Sequence, residues 1–121
     1  ERDFTYIDDV IESIEKLIEI RTSKVKWIDY ENESKNEKKV STHRIINIGN
    51  SNPIKLLDFI NLIEKKLKIT AKKDFLPMQS GDVKKTYADT NLIESLTKFK
   101  PSTALKDGIE IFIDWYMNYY K

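Results

Sequence analysis

Hydrophobic positions along this chain fall into four helical stripes separated by short mixed segments. Before the first stripe, Phe4, Thr5, Tyr6 and Ile7 form a cluster of strand-favouring residues, so a short strand is expected over 2–7. Val10, Ile11, Ile14, Leu17 and Ile18 then recur at helical spacing, opposite Glu12, Glu15, Lys16 and Glu19. Asp8 or Asp9 stands where an N-cap belongs, and Asp9 with Glu12 has capping-box spacing, which predicts a helix over 9–21. Leu56, Leu57, Phe59, Ile60, Ile63 and Leu67 predict a second helix over 53–67, capped by Ser51 or Asn52, with Pro53 in its first turn. Leu92, Ile93 and Leu96 predict a third over 90–97 behind Thr90. Leu105, Ile109, Phe112, Ile113 and Tyr116 predict a fourth over 104–119 behind Thr103.

Strands are expected at 44–48 and, briefly, at 73–76. The first is apolar on both faces through Ile45, Ile46 and Ile48, so it calls for neighbours. Residues 29–41 are almost wholly polar and read as a solvated surface loop, not a domain boundary. Helices outnumber strands, and no internal repeat is present. The 121 residues suit one domain with a core of its own.

Charge narrows the choice of function. The 21 basic and 20 acidic residues are intermixed and give a net charge of +1, so nothing draws the chain to nucleic acid or to a membrane surface. No apolar run reaches membrane-spanning length. Without cysteine there is no disulfide framework and no thiolate nucleophile, which suits a cytoplasmic setting. The one histidine, His43, makes neither a triad nor a zinc site.

Three places could carry chemistry. Arg2 offers a permanently charged fork for phosphate oxygens, although spacing alone favours an ion pair with Asp3 or another nearby carboxylate. Asp8 and Asp9 read as helix-capping acids before they read as a catalytic or metal pair. In the loop over 77–82, Gly81 allows a tight turn, and Asp82 could accept from sugar hydroxyls or merely satisfy its own backbone. Trp115, Tyr116, Tyr119 and Tyr120 read as core and flank aromatics more readily than as a sugar-stacking platform.

The opening Arg2-Asp3-Phe4-Thr5-Tyr6-Ile7-Asp8-Asp9-Val10 combines with Leu76-Pro77-Met78-Gln79-Ser80-Gly81-Asp82-Val83 and Tyr87-Ala88-Asp89-Thr90. Together these resemble the C-terminal part of extended short-chain dehydrogenase/reductases, specifically NAD-dependent nucleotide-sugar epimerases. Asn47-Ile48-Gly49-Asn50 and Asp114-Trp115-Tyr116 extend the resemblance over nearly the whole chain. Galactose-type epimerases carry Arg where Gln79 stands, so the loop is more similar to the UDP-glucuronate 4-epimerase branch, which has Pro at Ser80.

The resemblance implies an α/β parent fold. The present residues would form its C-terminal substrate-binding portion, α+β when taken alone, with four main helices and a few short strands. Residues 1–121 would be one nucleotide-sugar-binding domain, and an N-terminal NAD-binding Rossmann domain would lie outside them. It implies Arg2 on the diphosphate and Asp82 on the uridine ribose, with Gln79 between them. No catalytic residue is expected here, since neither a Gly-rich dinucleotide turn nor a Tyr-x-x-x-Lys pair occurs. The expected activity of the parent is NAD-dependent 4-epimerisation of a UDP-sugar, UDP-glucuronate to UDP-galacturonate, for surface polysaccharide synthesis. The expected partner is the UDP-sugar, with a homodimer allowed. A 4,6-dehydratase or decarboxylase on a nucleotide sugar, or a non-enzymatic interaction module, remain the alternatives.

Overall fold

Residues 1–20 and 45–120 are described in the computed structural model of the chain. The order is β1 (Arg2–Asp3), α1 (Ile7–Glu19), β2 (Pro53–Ile54), α2 (Leu56–Leu67), α3 (Asn91–Thr97) and α4 (Leu105–Tyr119). β1 and β2 form a two-stranded antiparallel sheet, with Arg2 opposite Ile54 and Asp3 opposite Pro53. α1 packs against α3, and α2 against α4.

All four expected helices form, and Thr90 stands at the N-cap position expected of it, whereas other residues than expected precede the remaining three. Tyr6, Lys55, Thr90 and Ala104 occupy the N-cap positions, and no side chain caps any of the four. Asp9 is committed elsewhere. Its Oδ2 accepts from the amides of Ser102 and Thr103 at 3.0 and 2.9 Å, and its Oδ1 accepts from the Thr103 hydroxyl at 2.7 Å. Neither Asp9 nor Thr103 is therefore a helix cap; the pair clamps α1 to the approach of α4. Pro53 lies in β2 and not in α2. Ser51 does not cap α2: its hydroxyl donates to the Ala88 carbonyl at 2.8 Å and meets the Thr90 hydroxyl at 2.8 Å.

The expected strands shrink. Only Arg2 and Asp3 of 2–7 are strand, and residues 45–48 and 73–76 carry no ladder among the described residues. A strand exists only where a neighbour supplies its hydrogen bonds. Ile45 illustrates the consequence for 45–48, at 80% exposed. Arg44, His43, the polar stretch 29–41 and the expected last turn at Arg21 lie outside the described residues.

The core is small. Ile93, Ile109 and Ile113 are its buried hydrophobic side chains, joined by Pro101, Ser13 and Thr90. Phe4 stacks on Phe59 with centroids 4.3 Å apart, which ties β1 to α2. Gly108 in α4 lets the Tyr6 ring lie close, since a Cβ there would stand 3.0 Å from that ring. Lys66 binds Asp114 at 2.7 Å across the α2–α4 seam.

The apolar stripe of α1 divides in two. Ser13 and its neighbours Val10 and Leu17 turn inward, whereas Ile7, Ile11, Ile14 and Ile18 are exposed. On α4 the expected face divides as well: Ile109 and Ile113 are buried, while Phe112, Trp115, Tyr116, Tyr119 and Tyr120 are exposed and contact one another in a row. Both α1 and α4 thus present bands of apolar surface of the kind that marks an interaction face.

Two outcomes follow from this packing. A Cβ at Gly49 would overlap the Ala88 methyl and stand 3.2 Å from the Asp3 carboxylate. Gly49→Ala should therefore lower stability by about 1–3 kcal/mol, the usual cost of overpacking. Adding Ala88→Gly should restore part of that loss in urea denaturation. The second outcome concerns Glu64 at the end of α2. The Lys73 ammonium at 2.6 Å, followed by the Ala71 amide, holds the Glu64 carboxyl below its ordinary value of 4.5. A lowered pKa in the folded state means that its stabilisation is present above the unfolded value and lost as pH falls. Glu64→Gln should thus be less stable than the wild type at neutral pH, and the gap should close once pH drops well below 4.5.

Candidate functional site

β1 places Arg2 at one end of the chain's sheet, and a turn brings the loop after α2 back to it. The Asp82 amide donates to the Gln79 carbonyl at 3.2 Å, closing a turn with Gly81 at φ 88°, a conformation only glycine adopts freely. Backbone bonds hold the following segment beside β1, with the Thr86 amide on the Glu1 carbonyl and the Asp3 amide on the Thr86 hydroxyl.

Arg2 and Asp82, 80 positions apart, meet in an ion pair of 2.8 Å. Arg2 Nη1 also donates to the Val83 carbonyl at 2.8 Å and to the Glu1 carbonyl at 3.0 Å. A guanidinium has five N–H groups, and three are engaged here. One on Nε and one on Nη2 have no partner among the described residues. Asp82 divides its work likewise. Oδ1 takes Arg2 and the Val83 amide at 2.9 Å, while Oδ2 accepts nothing from the described residues. The local reading of Asp82 is present in its bond from the Val83 amide, and the pairing with Arg2 is added to it. Arg2 pairs with this distant carboxylate and not with Asp3.

The side chains are partly open to solvent, Arg2 at 34% and Asp82 at 51%. Gln79 shares the turn and is exposed, and its side chain has no hydrogen bond among the described residues. A depression between 45–47 and α3 is lined, among the described residues, by Ile45, Asn47, Asp89, Asn91, Leu92 and Ser95, none of them a cation or a member of the pair. No group of acidic and histidine side chains among the described residues could hold a metal ion. No described helix is long and apolar enough to cross a membrane.

Asp3, which the sequence offered only as a possible ion-pair partner, anchors the site from behind. Its Oδ2 accepts from the amides of Ser51 and Ala88 at 3.0 and 2.9 Å, and its Oδ1 from that of Asn52 at 3.2 Å. Asp3 sits next to Arg2, so the carboxylate fixes the strand that aims the guanidinium. The signal for it was the adjacency of an acid to the cation in a segment otherwise rich in strand formers.

The chain is 38% identical to protein CapI of Staphylococcus aureus, over 99% of its own residues and 36% of that protein. It is also 38% identical to a probable UDP-glucuronate 4-epimerase of Rhizobium meliloti, over 99% of the chain and 35% of the relative. A crystal structure of the Bacillus cereus UDP-glucuronic acid 4-epimerase, in complex with UDP-glucuronic acid and NAD, superposes with a TM-score of 0.74. That match has 30% identity and covers 98% of this chain and 32% of the other. The chain is thus similar to the C-terminal part of UDP-glucuronate 4-epimerases. It spans about a third of the length of these epimerases. No family model matches it. The four helices and the two-stranded sheet are those of the corresponding part of the epimerase fold.

Proposed function

We propose that residues 1–121 are the nucleotide-sugar-binding domain of an NAD-dependent UDP-sugar 4-epimerase, interconverting UDP-glucuronate and UDP-galacturonate for surface polysaccharide synthesis. The observation that carries the reading is the Arg2–Asp82 pair, in which two N–H groups and one carboxylate oxygen have no partner among the described residues. A nucleoside diphosphate needs those complements: donors with positive charge for the phosphates, and an acceptor for ribose hydroxyls. Arg2 takes the diphosphate and Asp82 Oδ2 the ribose, while Gln79, exposed in the same turn, supplies an amide for the remaining polar edge. The likeness to epimerases supports the reaction, and none of the relatives above is named for dehydration or decarboxylation.

NAD supplies hydride removal and return when bound. The residues present offer it no Gly-rich turn and no Tyr-x-x-x-Lys pair, so they hold neither cofactor nor catalytic base. The Rossmann domain that would do so belongs to residues outside these. What this chain contributes is orientation. Gripping the nucleotide far from the reacting carbon fixes the sugar in place and lets remote binding lower the barrier.

Purified alone, the chain should form no UDP-galacturonate from UDP-glucuronate even with NAD supplied; turnover free of host enzyme would count against this division of labour. In the full-length protein, Arg2→Ala should weaken UDP-glucuronate binding by roughly 1.5–3 kcal/mol, the range for hydrogen bonds to charged groups. Arg2→Lys should cost less, since it keeps the charge and loses only the fork. Equal calorimetric affinity for wild type and Arg2→Ala would overturn the assignment.

A further inference from the structure

We infer that Asp82 is also a positioning residue for Arg2, holding the guanidinium in the pose that the nucleotide's phosphates engage. The inference rests on reading Arg2 as the phosphate ligand and adds to it a role that acts through another side chain. An arginine left free in solvent samples many rotamers, and binding must then restrict them. Here three tethers restrict Arg2 beforehand: the carbonyls of Glu1 and Val83, and the Asp82 carboxylate, which alone among the three is charged.

The tethers are linked to one another. Asp82 Oδ1 accepts from the Val83 amide at 2.9 Å, and the Val83 carbonyl accepts from Arg2 at 2.8 Å. One carboxylate oxygen thus fixes the guanidinium directly and steadies the peptide that fixes it a second time. Because Oδ1 does all of this, Oδ2 keeps its capacity for a hydroxyl, and positioning does not compete with a ribose contact.

A negative charge beside the phosphate-binding cation has an opposing effect, since it repels the phosphates. The two effects have opposite signs on affinity, so measurement separates them. With the side chains partly exposed, water screens the repulsion. Water weakens the Arg2–Asp82 attraction as well, but at 2.8 Å that pair keeps a direct hydrogen bond, whereas the repulsion has none, and the balance therefore favours positioning.

The test uses the full-length protein and calorimetry with UDP and with 2′,3′-dideoxy-UDP, which lacks the ribose hydroxyls. Asp82→Asn retains an acceptor for the Val83 amide and removes the charge; Asp82→Ala serves as the second variant. Both should weaken 2′,3′-dideoxy-UDP roughly three- to fivefold, the size of an exposed ion pair's contribution. Neither should weaken it further in an Arg2→Ala background. If dideoxy-UDP affinity is unchanged or rises in both Asp82 variants while Arg2→Ala lowers it, the positioning role is wrong and the phosphate reading stands. An equal loss in the Arg2→Ala background would mean that Asp82 merely maintains the loop, which also overturns the inference. If Arg2→Ala leaves both ligands bound as in wild type, the phosphate reading itself fails.

Discussion

The Asp3 carboxylate is the constraint on which the rest of this structure depends. Three backbone amides from two separate segments converge on its two oxygens. Amides turned inward at a crowded crossing need acceptors, and a carboxylate is the strongest one a side chain provides. Around this point the chain has no room. Gly49 is buried against Ala88, and Ser51 takes a left-handed conformation with φ 54°, held by Asp3, Ala88 and Thr90 together. Asp9 repeats the device on the other side by gathering Ser102 and Thr103. Among the described residues only three hydrophobic side chains are buried outright, and these carboxylate clips add long-range ties to them.

The site inherits its geometry from the first of these clips. Arg2 cannot shift along β1 without dragging Asp3 from its three amides, so the cation's base is fixed. Its tip is fixed separately, by the Gln79–Asp82 turn and the carbonyl of Val83. A ligand that reaches this place meets a guanidinium already constrained at both ends.

How much of this was legible in the sequence depends on the kind of signal. Helix periodicity is local, and all four helices could be located from it within a few residues. Caps were legible only at Thr90, which holds the N-cap position of α3 without a side-chain bond to it. Asp9, Thr103 and Ser51 have the right chemistry for capping, yet each is drawn into a longer-range bond that the spacing of residues does not reveal. Residues 45–48 and 73–76 form no ladder among the described residues for a related reason, because strand pattern indicates willingness to pair and not the presence of a partner. Arg2 and Asp82 were legible as candidates through family likeness, but their bond to each other was not. Asn47-Ile48-Gly49-Asn50 and Tyr87-Ala88-Asp89-Thr90 served as marks of resemblance in the sequence. In the structure they are packing: Gly49 leaves the space that Ala88 fills, and Asn50 donates to the Thr103 carbonyl at 3.3 Å.

The clips also set the order in which the molecule can assemble. Arg2 to Asp82 spans 80 positions, Asp3 to Ala88 spans 85, and Asp9 to Thr103 spans 94. Closing loops of that length has an entropic cost that must be met before any of these bonds rewards it. α2, α3 and α4 can nucleate on their own local contacts, whereas β1 and the site it carries can form only afterwards. On a ribosome the first ten residues would wait for nearly the whole chain to emerge before finding their partners. The Arg2–Asp82 pair waits for residue 82 and the Asp9 clip for residue 103, so within this piece the contacts of β1 and of the start of α1 close after the local helical ones.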